Sequence, residues 1–328
     1  MLYFRYPFSN QIFTTDETSI QKQNSVRFVS FDTNEIIDFN GDVKEISLDQ
    51  ILENQIFSDL LISDLVDFKE ESDSDYFSKI NQVIDFVKVN EISKLVISRR
   101  KLVEFNQDKV NLSQTFLNLC NSYPNAFVYL FITKEKCWIG AFSEVLGKFN
   151  KETSEFETMS LAGTIPINED WTNKEIDEQK PVSDYIKNIL KEHSAKVNQS
   201  DTYDHPSGNI KHLRTDFKAK IDRKDLENVI SELHPTPAVC GFPKEFCKKA
   251  ISEFENNPRS LYAGYIKVQT DDTIQYFVNL RCAEIFQNAA LLYVGGGITA
   301  DSSPEKEWQE TELKAGAILK NLSFIKIL

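Results

Sequence analysis

Glu307, Glu310 and Lys314 recur at i, i+3 and i+7. On a helix that spacing sets two carboxylates and an ammonium along one face. A solvated, ion-paired helix surface has the same pattern, so the residues upstream decide how it is read. Ser302-Ser303-Pro304 is a helix start, a hydroxyl cap followed by proline at the first helical position. Before it, the apolar run 291–294 reads as a buried strand. Gly295, Gly296 and Gly297 then read as a loop, free to take positive φ and to present bare backbone N–H groups to a ligand. Strand, glycine loop and charged helix make a corner suited to an anion and a hard metal ion.

Other stretches carry single groups that could act. The pattern KLVISRRKLVEF makes 94–105 a strand that opens on Lys94, a position more often a solvated flank than a catalyst. Residues 126–132 and 137–142 form a hairpin whose second strand runs into Gly140-Ala141-Phe142-Ser143-Glu144, delivering a carboxylate just past the strand end. Small residues fill MSLAGTIP (159–166), where Gly163 and Thr164 offer backbone and hydroxyl contacts. In HPTPAVCG (234–241) two prolines one residue apart fix an extended path. A second hairpin, 261–268 with 273–280, ends at Arg281.

The elements that must position these groups follow from periodicity. Helices are expected at 74–89, 112–122, 225–233 and 246–254. A longer one at 174–193 turns Ile176, Ile186, Ile189 and Leu190 inward and carries Asp184 near its middle. Residues 198–209 read as a mobile loop, and 25–38 as a strand pair. No internal repeat or linker divides the 328 residues, so one domain spanning 1–328 is expected. Thirty-seven basic against 50 acidic residues give a net charge of −13, which disfavours nucleic acid and anionic membranes as partners. No apolar run approaches the ~20 residues of a membrane span, and a cytoplasmic, monomeric protein is expected. Five cysteines, an odd number without a C-x-x-C pair, read as buried thiols rather than a zinc site.

Five motifs in order carry a resemblance: KLVISR (94–99) with GAFSE (140–144), LAGT (161–164), HPTPAVCGFP (234–243), NLRCAEI (279–285) and GGGITADSSPEKEWQET (295–311). Together they resemble the chorismate-utilising enzymes over roughly 91–320, while residues 1–90 match poorly. The resemblance implies an α+β layered fold, two large mainly antiparallel β-sheets packed face to face with helices outside. Within the family, Lys94 and a small Ala162 point to the isochorismate synthases, because anthranilate synthases lack that lysine and aminodeoxychorismate synthases place a lysine at the position of Ala162.

By that resemblance Lys94 is the general base that activates water and Glu144 the general acid at the departing hydroxyl. Ala162, Gly163, Thr164, His234, Ala238, Arg281, Gly295, Gly296 and Lys314 bind chorismate, and Glu310 with Glu307 holds Mg²⁺. The family's second metal-binding glutamate, on the middle helix, falls at Val182-Ser183 in this chain. Asp184 or Glu178 is then expected to substitute. The implied reaction is a Mg²⁺-dependent isomerisation serving menaquinone or siderophore biosynthesis. Salicylate synthesis, and chorismate binding without turnover, remain as alternatives.

Overall fold

The computed structural model describes residues 1–16, 18, 25–207 and 210–325, without the side chains of Lys174, Glu178 and Ser207. Among the described residues two large sheets dominate, and every strand pair in them is antiparallel. The first has eight strands in the order Asp42–Ile46, Ile12–Asp16, Leu2–Arg5, Phe127–Ile132, Cys137–Phe142, Cys282–Ile285, Ala289–Ile298 and Leu95–Glu104. The second runs Val197–Gln199, Ile210–Lys220, Glu155–Pro166, Val145–Asn150, Thr273–Val278, Tyr265–Gln269, Ser25–Val29 and Ile36–Asn40. A ninth strand, Tyr203–Ser207, also pairs with Ile210–Lys220.

Aromatic residues on alternate strand positions close the space between the sheets. Phe127 of the first stacks on Phe277 of the second at 4.3 Å, and Phe28 of the second packs edge-on against Phe131 of the first at 4.7 Å. Such pairs add a directional preference to the burial that drives the layers together. The intervening residues Val128, Leu130, Ile139 and Leu292 belong to a separate core with Phe116, Leu119, Ala315 and Ile318. That core seats the helices Leu112–Ser122 and Pro304–Leu319 on the outer face of the first sheet. Helices Asn173–His193 and Leu226–Leu233 cover the second sheet through Val182, Ile186, Leu190, Val229 and Ile230.

Several expectations need correction. The three glycines are not a loop: Gly295, Gly296 and Gly297 continue the strand Ala289–Ile298 and pair with Ser98, Ile97 and Val96. Their role is to leave out a side chain rather than to turn the chain. Residues 198–209 do not form a loop as a whole, since Val197–Gln199 and Tyr203–Ser207 are strands on the edge Ile210–Lys220; residues 208 and 209 lie outside the described ones. The segment after His234 is a turn in which Thr236 O accepts from both Val239 N and Cys240 N. Ile186, Ile189 and Leu190 are buried on the helix Asn173–His193 as expected, but Ile176, in its first turn, is 49% exposed.

Candidate active site

A cleft opens between the two sheets near the ends of several strands. Its first wall is built by the strand Ala289–Ile298 and the helix Pro304–Leu319. Lys314 Nζ lies 2.8 Å from Gly295 O and 2.7 Å from Glu310 Oε1, so one ammonium ties the helix to the strand. A Cβ placed on Gly296 would lie 3.0 Å from Glu307 Oε2 and 3.9 Å from Glu310 Oε1. The missing side chain therefore leaves two carboxylates, one helical turn apart, converging on bare backbone. On Gly295 a Cβ would approach Ile97 O to 2.8 Å and Tyr262 Oη to 2.9 Å, so close strand packing also requires glycine there. Glu307 is 1% exposed and accepts from Ser302 Oγ at 2.7 Å, which fixes its rotamer.

Glu144 follows the strand Cys137–Phe142, lines the cleft and is 4% exposed. Burial pushes its carboxyl up to about 8, with the Lys94 charge pulling the other way. Lys94 itself is 2% exposed and stands immediately before the strand Leu95–Glu104. Its backbone is held by close approach: a Cβ on Gly241 would lie 2.6 Å from Lys94 O, and Gly241 has φ +122°. Next to it Val96 N donates to Cys240 O. The proline turn therefore docks beside Lys94, while its Ala238 and Val239 line the cleft. Lys94 is not itself among the lining residues.

The opposite wall depends on an irregularity. Ala162 pairs with Leu213 and Ile165 with Lys211, so two residues, Gly163 and Thr164, stand opposite the single residue His212. This is a β-bulge, a device that redirects side chains and carbonyls. Gly163 takes φ +73° there, and a Cβ on it would lie 3.1 Å from Glu175 Cβ on the covering helix. His212 Nδ1 lies 3.0 Å from Gly163 O and 3.1 Å from Thr164 Oγ1, and its Nε2 is 2.9 Å from Arg281 Nη2. A guanidinium only donates, so Nε2 accepts and Nδ1 carries the proton given to Gly163 O. Burial and the Arg281 charge hold the imidazole pKa well below its ordinary value, consistent with that neutral tautomer. Arg281 has φ +45°, a strained backbone for a residue with a side chain.

Of the residues singled out in the sequence, Glu144, Ala162, Gly163, Thr164, Ala238, Arg281, Gly295, Gly296, Glu310 and Lys314 line this one cleft. Glu307 and Lys94 stand beside it without lining it, and two other residues lie away from it. His234 Nε2 donates to Phe31 O, 3.1 Å away, and its ring packs edge-on against Tyr265 and Phe31. Asp184 is exposed on the helix Asn173–His193, because Val182, Ser183 and Ile186 occupy the sheet-facing side. The side chain of Glu178 lies outside the described residues. Two lining residues lay outside every motif read from the sequence: His212 and Tyr262. His212 acquires its place only through the bulge, a pairing between residues 49 apart.

The donor set fits Mg²⁺. Glu307 and Glu310 offer hard carboxylate oxygens around Gly296. Among the described residues no group of three His, Cys, Asp or Glu could hold a metal. Mg²⁺ commonly takes one or two carboxylates and fills its remaining positions with water and substrate oxygens.

Comparison with known proteins agrees with this arrangement. The family model described as chorismate binding enzyme matches residues 6–323. The chloroplastic isochorismate synthase of Catharanthus roseus is 43% identical over 113 residues, covering 34% of this chain and 20% of that protein. Isochorismate synthase MenF of Haemophilus influenzae is 27% identical over 256 residues, covering 73% of this chain and 58% of the relative. The chain thus covers less than two thirds of either relative's length. The structure of MenF, the menaquinone-specific isochorismate synthase from Escherichia coli, superposes with a TM-score of 0.79 at 19% identity, covering 98% of this chain and 88% of that one. The chain belongs to the chorismate-binding enzyme family and has its fold.

Proposed function

We propose that the protein is an isochorismate synthase, converting chorismate to isochorismate with Mg²⁺ and passing the product to menaquinone or siderophore biosynthesis. The observation that carries this reading is the carboxyl of Glu144, kept protonated up to about pH 8 by burial inside the cleft, with Lys94 acting on it electrostatically. A general acid needs its proton at working pH, and an enclosed, dry setting supplies that condition.

In this reading the Arg281 fork binds the enolpyruvyl carboxylate, held in place by His212. Gly295 and Gly296 allow the substrate to approach the backbone, and Lys314 balances the carboxylates nearby. Glu310 and Glu307 would hold Mg²⁺, whose contribution is to neutralise and orient the ring carboxylate. Lys94 removes a proton from water as its oxygen bonds to ring C2. The ring double bonds shift, the C4–O bond breaks, and Glu144 protonates the departing hydroxyl to water. One water enters and one leaves, so the net change is an isomerisation.

Incubation with chorismate and Mg²⁺, followed by chromatographic separation of isochorismate, salicylate and pyruvate, tests the reading. Isochorismate alone is expected. Salicylate with equimolar pyruvate would identify a salicylate synthase. Chorismate recovered intact, though bound, would identify a protein that binds without turnover.

A further inference from the structure

The wall that carries Gly163 is fastened to its covering helix by a buried cluster of neutral polar groups outside the chemistry described above. Gln179 is 5% exposed, and its Nε2 lies 2.9 Å from Ser160 Oγ, 2.8 Å from Ser183 Oγ and 2.8 Å from Thr215 Oγ1. Ser160 and Thr215 are direct cross-strand partners, so both hydroxyls rise from the sheet toward the same helix. Ser160 Oγ and Ser183 Oγ are 2.6 Å apart, and Thr202 Oγ1 extends the chain to Thr215 at 2.8 Å. An amide carries two hydrogens, so Gln179 serves two of the three hydroxyls at once and the hydroxyl protons serve the rest. Ser160, Ser183 and Thr215 are all buried. A buried network of this kind is costly unless satisfied, and once satisfied it admits one arrangement.

One helical turn before Gln179 is Glu175, whose Cβ and carbonyl O would lie 3.1 and 3.3 Å from a Cβ on Gly163, so the helix sits close over the bulge and glycine makes room for it. Gly163 O takes the His212 proton, and His212 Nε2 takes the Arg281 hydrogen bond. The contacts therefore run without a gap from Gln179 to the guanidinium.

We propose that Gln179 is a positioning residue for substrate binding: by locking the helix Asn173–His193 to Ser160 and Thr215, it sets the Gly163 bulge and, through His212, the aim of the Arg281 fork. This rests on the isochorismate synthase reading in assigning Arg281 to the substrate carboxylate.

Gln179→Leu and Gln179→Glu separate positioning from general support. Glutamate is isosteric and accepts hydrogen bonds from the same hydroxyls, whereas leucine makes none. Gln179→Leu is expected to raise KM for chorismate about tenfold with kcat within about threefold of wild type. Gln179→Glu should recover most of the loss. In an Arg281→Lys background the Leu substitution should cost less than twofold in KM, since the fork it aims is already gone. Direct chorismate binding measured by calorimetry should follow KM. An unchanged KM in Gln179→Leu would overturn the proposal. So would a KM increase of equal size in the Arg281→Lys background, or a fall in kcat alone that tracks the folded fraction in thermal unfolding. Failure of wild type to turn over chorismate would instead strike the function; the calorimetric comparison would still judge the role of Gln179.

Discussion

The two walls of the cleft are both a strand covered by a helix, yet they work by opposite means. The wall made by Ala289–Ile298 and Pro304–Leu319 concentrates charge: Glu307, Glu310 and Lys314 crowd over glycines that give way to them. The wall made by Glu155–Pro166 and Asn173–His193 is held by hydroxyls and an amide, with Gln179, Ser160, Ser183 and Thr215 behind the bulge. Charge on the first wall suits metal and carboxylate recognition. The second wall acts by position, setting the bulge from which His212 meets Arg281. The charged helix is also fastened on its far side, where the buried Arg99 lies 3.7 Å over the Trp308 ring and pairs with Glu312. The comparison teaches that rigidity and charge are supplied separately here, rigidity by packing on both walls and charge on one.

The largest expected effect belongs to the strand that pairs with the charged wall. Lys94→Ala should lower kcat by ~10²–10⁴ while chorismate binding by calorimetry stays near wild type. A variant retaining more than a tenth of wild-type turnover would remove Lys94 from the chemistry.

Arg281→Lys should act on the other parameter. An ammonium cannot reproduce the fork that His212 aims, and losing a buried charged contact costs on the order of 2–5 kcal/mol of binding. Steady-state kinetics should report it as a higher KM. An unaltered KM would break the link between the neutral wall and substrate recognition.

Glu144→Gln isolates burial from catalysis. The folded carboxyl titrates near 8, above the ordinary value of 4.5. Between those values the native state holds a proton that the unfolded state has released, so wild-type stability falls as pH rises, by about 1.4 kcal/mol per unit for this one group. Glutamine lacks the titration. Its unfolding midpoint should therefore gain on wild type from pH 4.5 to 8 and level off above. Parallel pH profiles of the two proteins would mean that Glu144 is not enclosed.

The smallest effects compare carboxylates on the two helices. Glu310→Gln should raise the Mg²⁺ concentration for half-maximal activity, whereas Asp184→Asn should leave the titration curve on that of wild type. A shift in the Asp184→Asn curve would bring the neutral wall into the metal site.

Much of the charged wall was legible from local sequence. The Ser303-Pro304 start and the i, i+3, i+7 spacing place Glu307, Glu310 and Lys314 on their helix without long-range information. Glu144 was legible for a similar reason, since a hairpin fixes where its second strand ends. The glycine run misled because local propensity favours a loop, while its pairing with Ser98, Ile97 and Val96 is a contact across the chain. Asp184 misled because nearness in sequence to Val182-Ser183 is not nearness in space: the buried set Gln179, Val182, Ser183 and Ile186 puts Asp184 outside. The neutral wall was opaque because hydroxyls and amides signal nothing until strand register brings Ser160, Thr215 and Gln179 together.

The central claim is that water, activated at Lys94, adds to ring C2 while the C4 hydroxyl departs. Turnover of chorismate in H₂¹⁸O with Mg²⁺, stopped early and read by mass spectrometry, tests it directly. The account predicts isochorismate carrying one ¹⁸O, located at C2 by fragmentation. Unlabelled isochorismate would mean that the C4 hydroxyl itself migrates, and would contradict the assignment of Lys94 and Glu144 as base and acid.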